Sequence, residues 1–298
     1  ERLLNDGYRV VGGSRDVSST DWWRLNELKI LDRVELISLA PSDFQSVFTH
    51  LNSVAPDEVY YLAGQTSVAL SFEQPFEAFE SIGTGTLNFL EALRVLALPA
   101  RFFNAASTDC FGDQSGIRLD EESPMRPISP YGVAKAASYW TTVNYRQAFG
   151  IHASNGILTN HESPLRGRAF VTQKVLRNLV KRSRGSSVPL ELGDIEVRRD
   201  WLWAPDVVDA IVRINRASQP GDYVVGSGES HSLREFIYLA CDGLGIEVRD
   251  LIISSSKHLR PSEISSVELD PSLIQEELGW RPTLNFEELI SQLLEEFV

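Results

Sequence analysis

The sequence predicts an α/β fold: a doubly wound parallel sheet joined to a smaller α+β part. Three observations point there. Short apolar runs alternate with helix-length stretches through the first half, at residues 8–13, 34–39, 58–62, 102–107 and 151–159. That alternation builds βαβ units and hence a parallel sheet. The last two runs end in polar residues, Ser107-Thr-Asp109 and Asn160-His-Glu162, and ligands of open α/β sheets bind at the carboxyl ends of strands. Beyond Asn160 the pattern breaks into shorter, mixed strands and helices.

Residues 1–7 read as the tail of a helix, with Gly7 as its stop, and 8–13 as a strand. A doubly wound domain opens with a strand and a Gly-rich turn; neither precedes residue 8 here. The 298 residues are therefore expected to be a fragment, because a domain without its central strand would leave an apolar sheet edge open. Arg15 follows the run at 8–13. At that place in a dinucleotide fold an acid holds the ribose hydroxyls and an Arg takes a 2′-phosphate, so Arg15 favours NADP over NAD. Outside that context a single surface Arg is simply solvated. The strand at 34–39 is followed by Ala40, a helix spans 44–54, and a strand spans 58–62. After Leu62 comes Ala63-Gly-Gln65-Thr-Ser67, a loop of small residues that lets backbone approach a cofactor closely. Residues 76–96 read as one long helix despite Gly83 and Gly85.

The second half reads as a basic helix over 170–181, a strand and turn over 188–194, and a helix over 200–216. A strand at 223–225 and helices at 233–244, 270–278 and 286–297 follow. There are no internal repeats, low-complexity tracts or disordered linkers.

The most informative stretch is Ser129-Pro-Tyr-Gly-Val-Ala-Lys135, opening a helix with no breaker before Gly150. Pro130 suits a first helical turn, where its missing N–H costs nothing. Tyr131 and Lys135 are four apart and share one helical face. An ammonium beside a phenol favours the phenolate, which makes a tyrosine a usable acid/base. Tyr and Lys at this spacing are also common on helix surfaces. The strand ends at Ser107-Thr-Asp109 and Asn160 are what bring hydroxyl, carboxylate, phenol and ammonium toward one site.

Composition narrows the classes. The net charge of −13 argues against non-specific binding to nucleic acid or anionic membrane. No apolar run approaches the ~20 residues that span a bilayer. Two cysteines, Cys110 and Cys241, give no disulfide framework, which points to a reducing, cytoplasmic setting.

The order Ser107-Thr-Asp109, Tyr131-x-x-x-Lys135, Asn160-His-Glu-Ser-Pro164 resembles the extended short-chain dehydrogenase/reductases that act on nucleotide sugars. Arg166, Phe170-Val-Thr172, Arg199-Asp-Trp201, Gly226-Ser-Gly-Glu-Ser-His-Ser232 and Leu259-Arg-Pro-Ser-Glu263 are similar to the GDP-mannose 4,6-dehydratase family within that group. The resemblance runs over essentially the whole chain. It implies a Rossmann-like NADP-binding domain over 1–159 with a return segment near 206–225. A sugar-nucleotide domain would take about 160–205 and 226–298, and a Gly-x-x-Gly-x-x-Gly turn would lie upstream of Glu1.

The same resemblance implies an internal redox reaction on a GDP-mannose-type substrate. The sugar C4 hydroxyl loses a proton and a hydride, water leaves across C5–C6, and the hydride returns to C6. Tyr131 would be the C4 base, Lys135 would lower its pKa and hold the nicotinamide ribose, and Ser107 would bond the C4 oxygen. Asp109 stands where the family has a Glu that moves the C5 and C6 protons; it is one methylene shorter, and proton transfer is sensitive to misplacement of about 1 Å. Its alternative role is to cap the following turn. Ala40 stands where the family has an Asp at the adenine. Leu62, Ala63, Gln65, Asn160, His161 and Arg166 join Arg15 at NADP. Ser67, Asn160, Lys174, Arg199, Arg260 and Glu263 join the sugar nucleotide. No metal site is expected, and the resemblance implies a homodimer or homotetramer. A related reductase or epimerase would use Tyr131 and Lys135 without a carboxylate at 109. A catalytically silent binding protein is the reading from another class.

Overall fold

The computed structural model describes residues 1–247, 252–255 and 260–297. The chain opens with α1 (Arg2–Asn5), β1 (Val10–Ser14), α2 (Trp23–Glu27), β2 (Val34–Ser38), α3 (Phe44–Val54) and β3 (Glu58–Tyr61). Then come α4 (Val68–Glu73), α5 (Pro75–Phe79) and α6 (Gly85–Val95), followed by β4 (Arg101–Ser107), β5 (Arg118–Leu119), α7 (Pro130–Phe149) and β6 (Ala153–Leu158). Past these lie β7 (Asn160–Glu162), α8 (Val171–Ser183), β8 (Leu190–Leu192), β9 (Arg198–Arg199), β10 (Trp201–Trp203), α9 (Ala204–Arg216) and β11 (Asp222–Val225). The chain finishes with β12 (His231–Ser232), α10 (Leu233–Gly243), β13 (Ile252–Ser254), β14 (Glu268–Leu269), α11 (Ser272–Leu278) and α12 (Phe286–Glu295).

A parallel sheet of order β11-β6-β4-β3 forms the centre. β6 is buried along its whole length and β4 along all but its first residue. Helices cover both faces of such a sheet, so these strands show no polar alternation. One face packs on α3, α6 and α7 through Leu51, Leu90, Leu93 and Phe102. The other packs on α9 through Phe103, Val207 and Ile214. β1 and β2 pair in parallel as a separate two-stranded sheet, and among the described residues no ladder joins β1 to β3. A further core gathers α8, α10 and α12 around Leu176, Trp201, Phe236 and Leu293. Among the described residues no helix is long and apolar enough to cross a membrane.

Three expectations need correction. Residues 200–216 are not one helix. Trp201–Trp203 is a strand paired in parallel with β7, and the helix starts at Ala204 with Pro205 in its first turn, where a proline costs no hydrogen bond. The strand expected from 188 begins at Leu190. The long helix over 76–96 contains a π-helical turn at Glu80–Thr84. A Cβ at Gly85 would lie 1.9 Å from the Tyr61 hydroxyl oxygen, so only glycine lets helix and strand approach there. The short elements α2, α4, β5, β9, β12, β13 and β14 were not anticipated; two to six residues carry too little periodicity to announce themselves. Leu259 lies outside the described residues.

Candidate active site

The site grows from the junction of β4 and α7. Ser129 caps α7 by accepting from the Gly132 N–H at 3.0 Å, with Pro130 in the first turn. A Cβ at Gly132 would lie 2.7 Å from the Asp109 carbonyl oxygen, so the glycine lets α7 start directly against the turn that follows β4. The Tyr131 N–H donates to Ser71 Oγ at 3.1 Å. Tyr131 and Lys135 are both buried. Lys135 Nζ donates to the Ala105 carbonyl at 2.6 Å, which ties α7 to β4, and lies 5.8 Å from the Tyr131 ring centroid.

Ser107 ends β4. Its Oγ accepts from the Asp109 N–H and donates to Asp109 Oδ2, both at 3.3 Å. Capping of this turn thus falls to Ser107, and the Asp109 carboxylate is left to feel the charges of Arg199, Arg260 and Lys135. Burial raises its pKa against those cations. Burial also holds the Tyr131 phenol well above its ordinary value, with the Asp109 charge adding and a Ser107 hydrogen bond opposing. Burial pushes Lys135 down to about 8. The expectation that Lys135 lowers the Tyr131 pKa is therefore not met in this structure: the ammonium bonds the Ala105 carbonyl, and desolvation of the phenolate dominates. Buried Cys110 is pushed up to about 12, also by desolvation, as suits an apolar residue rather than a nucleophile.

Asn160 and His161 lie on β7, next to the end of β6. His161 Nδ1 is 2.9 Å from the Thr159 carbonyl oxygen. Arg166 donates to the His161 carbonyl, lies 3.3 Å from the buried Glu162 carboxylate and sits 4.3 Å over the Phe170 ring. After β3, Leu62 is exposed and Ala63 leads into Gln65. The π-helical turn places Ser81 so that its Oγ accepts the Gln65 N–H at 3.2 Å. Gln65 Oε1 accepts from Ser67 N–H at 2.5 Å, while Ser67 Oγ caps α4. The Gln65 side-chain amide nitrogen is buried with no hydrogen-bond partner among the described residues. A dinucleotide offers acceptors for such an orphan donor, and the loop stands at the carboxyl end of a parallel strand; these residues fit that group. Arg15, at the end of β1, pairs with Glu77 at 2.7 Å.

Opposite Asp109, Arg199 and Arg260 share Glu263 at 2.7 and 3.0 Å. Lys174 joins α8 to β8 by donating to the Glu191 carbonyl at 2.6 Å. Among the described residues no three His, Cys, Asp or Glu side chains gather for a metal ion.

Several residues of this region were not foreseen. Glu77 is 62 residues from Arg15, and no sequence signal links the two. Glu162 is buried and accepts from Thr172 Oγ1 at 2.6 Å, joining β7 to α8. Asp200 accepts the Ser227 and Gly228 N–H groups at 2.8 and 3.0 Å, and burial raises its pKa to about 6. Its place in Arg199-Asp-Trp201 was the available hint.

A family model described as GDP-mannose 4,6 dehydratase matches residues 1–293. GDP-mannose 4,6 dehydratase 1 of Arabidopsis thaliana is 38% identical over 308 aligned residues, covering 99% of this chain and 84% of its own. A GDP-mannose 4,6-dehydratase of Vibrio cholerae is 34% identical, covering 99% and 88%. Among solved structures, a Thermus thermophilus UDP-glucose 4-epimerase in complex with NAD superposes with a TM-score of 0.85 at 25% identity, covering 99% of this chain and 93% of its own. RMD from Pseudomonas aeruginosa complexed with NADPH gives 0.80 at 25% identity, covering 97% of each chain.

Proposed function

The chain belongs to the GDP-mannose 4,6-dehydratase family, and we propose that Ser107, Asp109, Tyr131 and Lys135 carry the reaction. The protein is a hydro-lyase that dehydrates GDP-mannose to a 4-keto-6-deoxy sugar nucleotide with a nicotinamide cofactor. The observation that supports the residue assignment is their convergence at the carboxyl end of β4, facing Arg199 and Arg260 across Asp109.

When bound, the cofactor supplies a hydride acceptor and returns the hydride. The chain's own residues move protons. Tyr131 takes the proton of the C4 hydroxyl, and Ser107 holds that oxygen by a hydrogen bond. Lys135, released from the Ala105 carbonyl toward the phenol, offsets the desolvation that keeps Tyr131 protonated. Asp109 removes the C5 proton and delivers one to the departing C6 hydroxyl. C5 regains a proton when the hydride reaches C6, balanced by the proton that Tyr131 took from the C4 hydroxyl. The raised pKa of Asp109 suits a group that must carry a proton as well as accept one. Arg199 and Arg260, with Lys174, hold the diphosphate, and guanidinium geometry matches phosphate oxygens. Glu263 meets the ribose or guanine. Ser67 and Asn160 contact the sugar. Leu62, Ala63, Gln65, Asn160, His161 and Arg166 line the cofactor, and Arg15 takes the 2′-phosphate of NADP. In this reading residues 1–159 with 206–225 bind the cofactor, and 160–205 with 226–298 bind the sugar nucleotide. The assembly is a homodimer or homotetramer in the cytoplasm.

The test is incubation with GDP-mannose and trace NADP⁺. A 4-keto-6-deoxy product should form without net reduction of the cofactor. Turnover that consumes a stoichiometric reductant would identify a reductase instead.

A further inference from the structure

We propose that Glu77 makes the cofactor site read both nicotinamide dinucleotides, by competing with the 2′-phosphate of NADP for Arg15 and by accepting the free 2′-hydroxyl of NAD. The inference rests on the assignment of Arg15 to the adenosine ribose made above.

Arg15 immediately follows β1, and Glu77 lies in α5, beyond the loop that follows β3. Arg15 stands at the carboxyl end of β1, where a dinucleotide's adenosine half binds, and the ion pair holds Glu77 beside it. The Arg15 guanidinium donates to Glu77 Oε1 at 2.7 Å. The pair is open to solvent, with the Arg15 side chain 71% and the Glu77 side chain 37% exposed, so a ligand can reach both partners. The net gain of such an exposed pair is small, and either partner can turn to a ligand at little cost.

A carboxylate and a guanidinium side by side have opposite preferences at a ribose 2′ position. A phosphate monoester there carries a charge of about −1.5 to −2. It gains from Arg15 but must displace Glu77 or lie beside it. At about 5–7 Å, with water screening, a neighbouring carboxylate disfavours such a phosphate by about three- to tenfold. A ribose hydroxyl carries no charge to repel and can donate to Glu77, as acids at this position do for NAD. One arm thus favours each cofactor, and the discrimination that Arg15 alone would give is blunted.

The test is fluorescence titration of NADPH and NADH against the full-length protein, read as the ratio of the two affinities. With both residues present, the ratio should lie within about tenfold of unity. Glu77→Gln should raise the preference for NADPH about three- to tenfold, and mainly by weakening NADH or tightening NADPH rather than by lowering both. Arg15→Ala should shift the ratio toward NADH, and in that background Glu77→Gln should still raise the preference for NADPH at least about threefold, since the carboxylate repels the phosphate with or without the guanidinium. A ratio that Arg15→Ala moves and Glu77→Gln leaves within twofold would overturn the role of Glu77 while the Arg15 assignment stands. A ratio that neither variant moves would overturn the Arg15 assignment and this inference with it. Equal losses of both cofactors in Glu77→Gln, with a lowered melting temperature, would reduce the pair to a structural contact and also overturn the proposal.

Discussion

Two charged corners of this molecule are built in opposite ways. Around the start of α7, Tyr131 and Lys135 are buried and Asp109 half-buried against β4, and desolvation displaces all three pKa values. At the end of β1, Arg15 and Glu77 form a short ion pair in the open. The difference is one of solvent. A charge out of water must be neutralised or answered by fixed partners, whereas an exposed pair is screened within about 10 Å. The inner corner can therefore do proton chemistry, and the outer one can only bias what binds.

The strongest way to break this contrast is Tyr131→Phe. It keeps the packing and removes the proton-carrying oxygen, so turnover should fall about a hundredfold or more, as for other acid–base groups. Near-normal turnover would remove Tyr131 from the redox step. Asp109→Asn comes next. Product formation should drop about thirty- to a hundredfold, while the affinity for GDP-mannose, measured by calorimetry, stays within about threefold. Loss of affinity alone would make Asp109 a binding residue.

The pH dependence sharpens the inner corner further. Burial holds Lys135 at about 8, so its ammonium is lost as pH rises through that value, and turnover should fall about tenfold per pH unit above it. Stability should respond with the opposite sign. Between about 8 and the ordinary lysine value the unfolded chain binds the extra proton, so the contribution of Lys135 to stability rises with pH. Lys135→Arg, which stays charged, should move the activity limb upward. A pH profile unchanged by that variant would dissociate the limb from Lys135.

The smallest effect belongs to the outer corner. Glu77→Gln should change folding stability by less than about 1 kcal/mol, the usual worth of an exposed pair, seen as a shift of no more than a few degrees in thermal unfolding. A larger shift would mean that the pair braces the loops rather than facing a ligand.

Much of this was present in the order of residues. The apolar runs at β4 and β6, the Ser129-Pro130 helix start and the four-residue spacing of Tyr131 and Lys135 are local signals, because strand burial, helix capping and helical periodicity each act over a few neighbours. They determined the parallel sheet, the long α7 and the shared face of phenol and ammonium. Other features depend on groups that meet only when distant segments fold together. The Lys135 ammonium bonds the Ala105 carbonyl 30 residues upstream, so its expected effect on Tyr131 gave way to desolvation. Trp201–Trp203 pairs with the distant β7, which is why a strand stands where a helix was expected to begin. Arg15 meets Glu77 across 62 residues. A sequence states which side chain is charged and which face of its own helix or strand it occupies. Only the tertiary structure decides how much water remains around that charge and which partner answers it, as Asp109, Tyr131, Lys135 and Arg15 show.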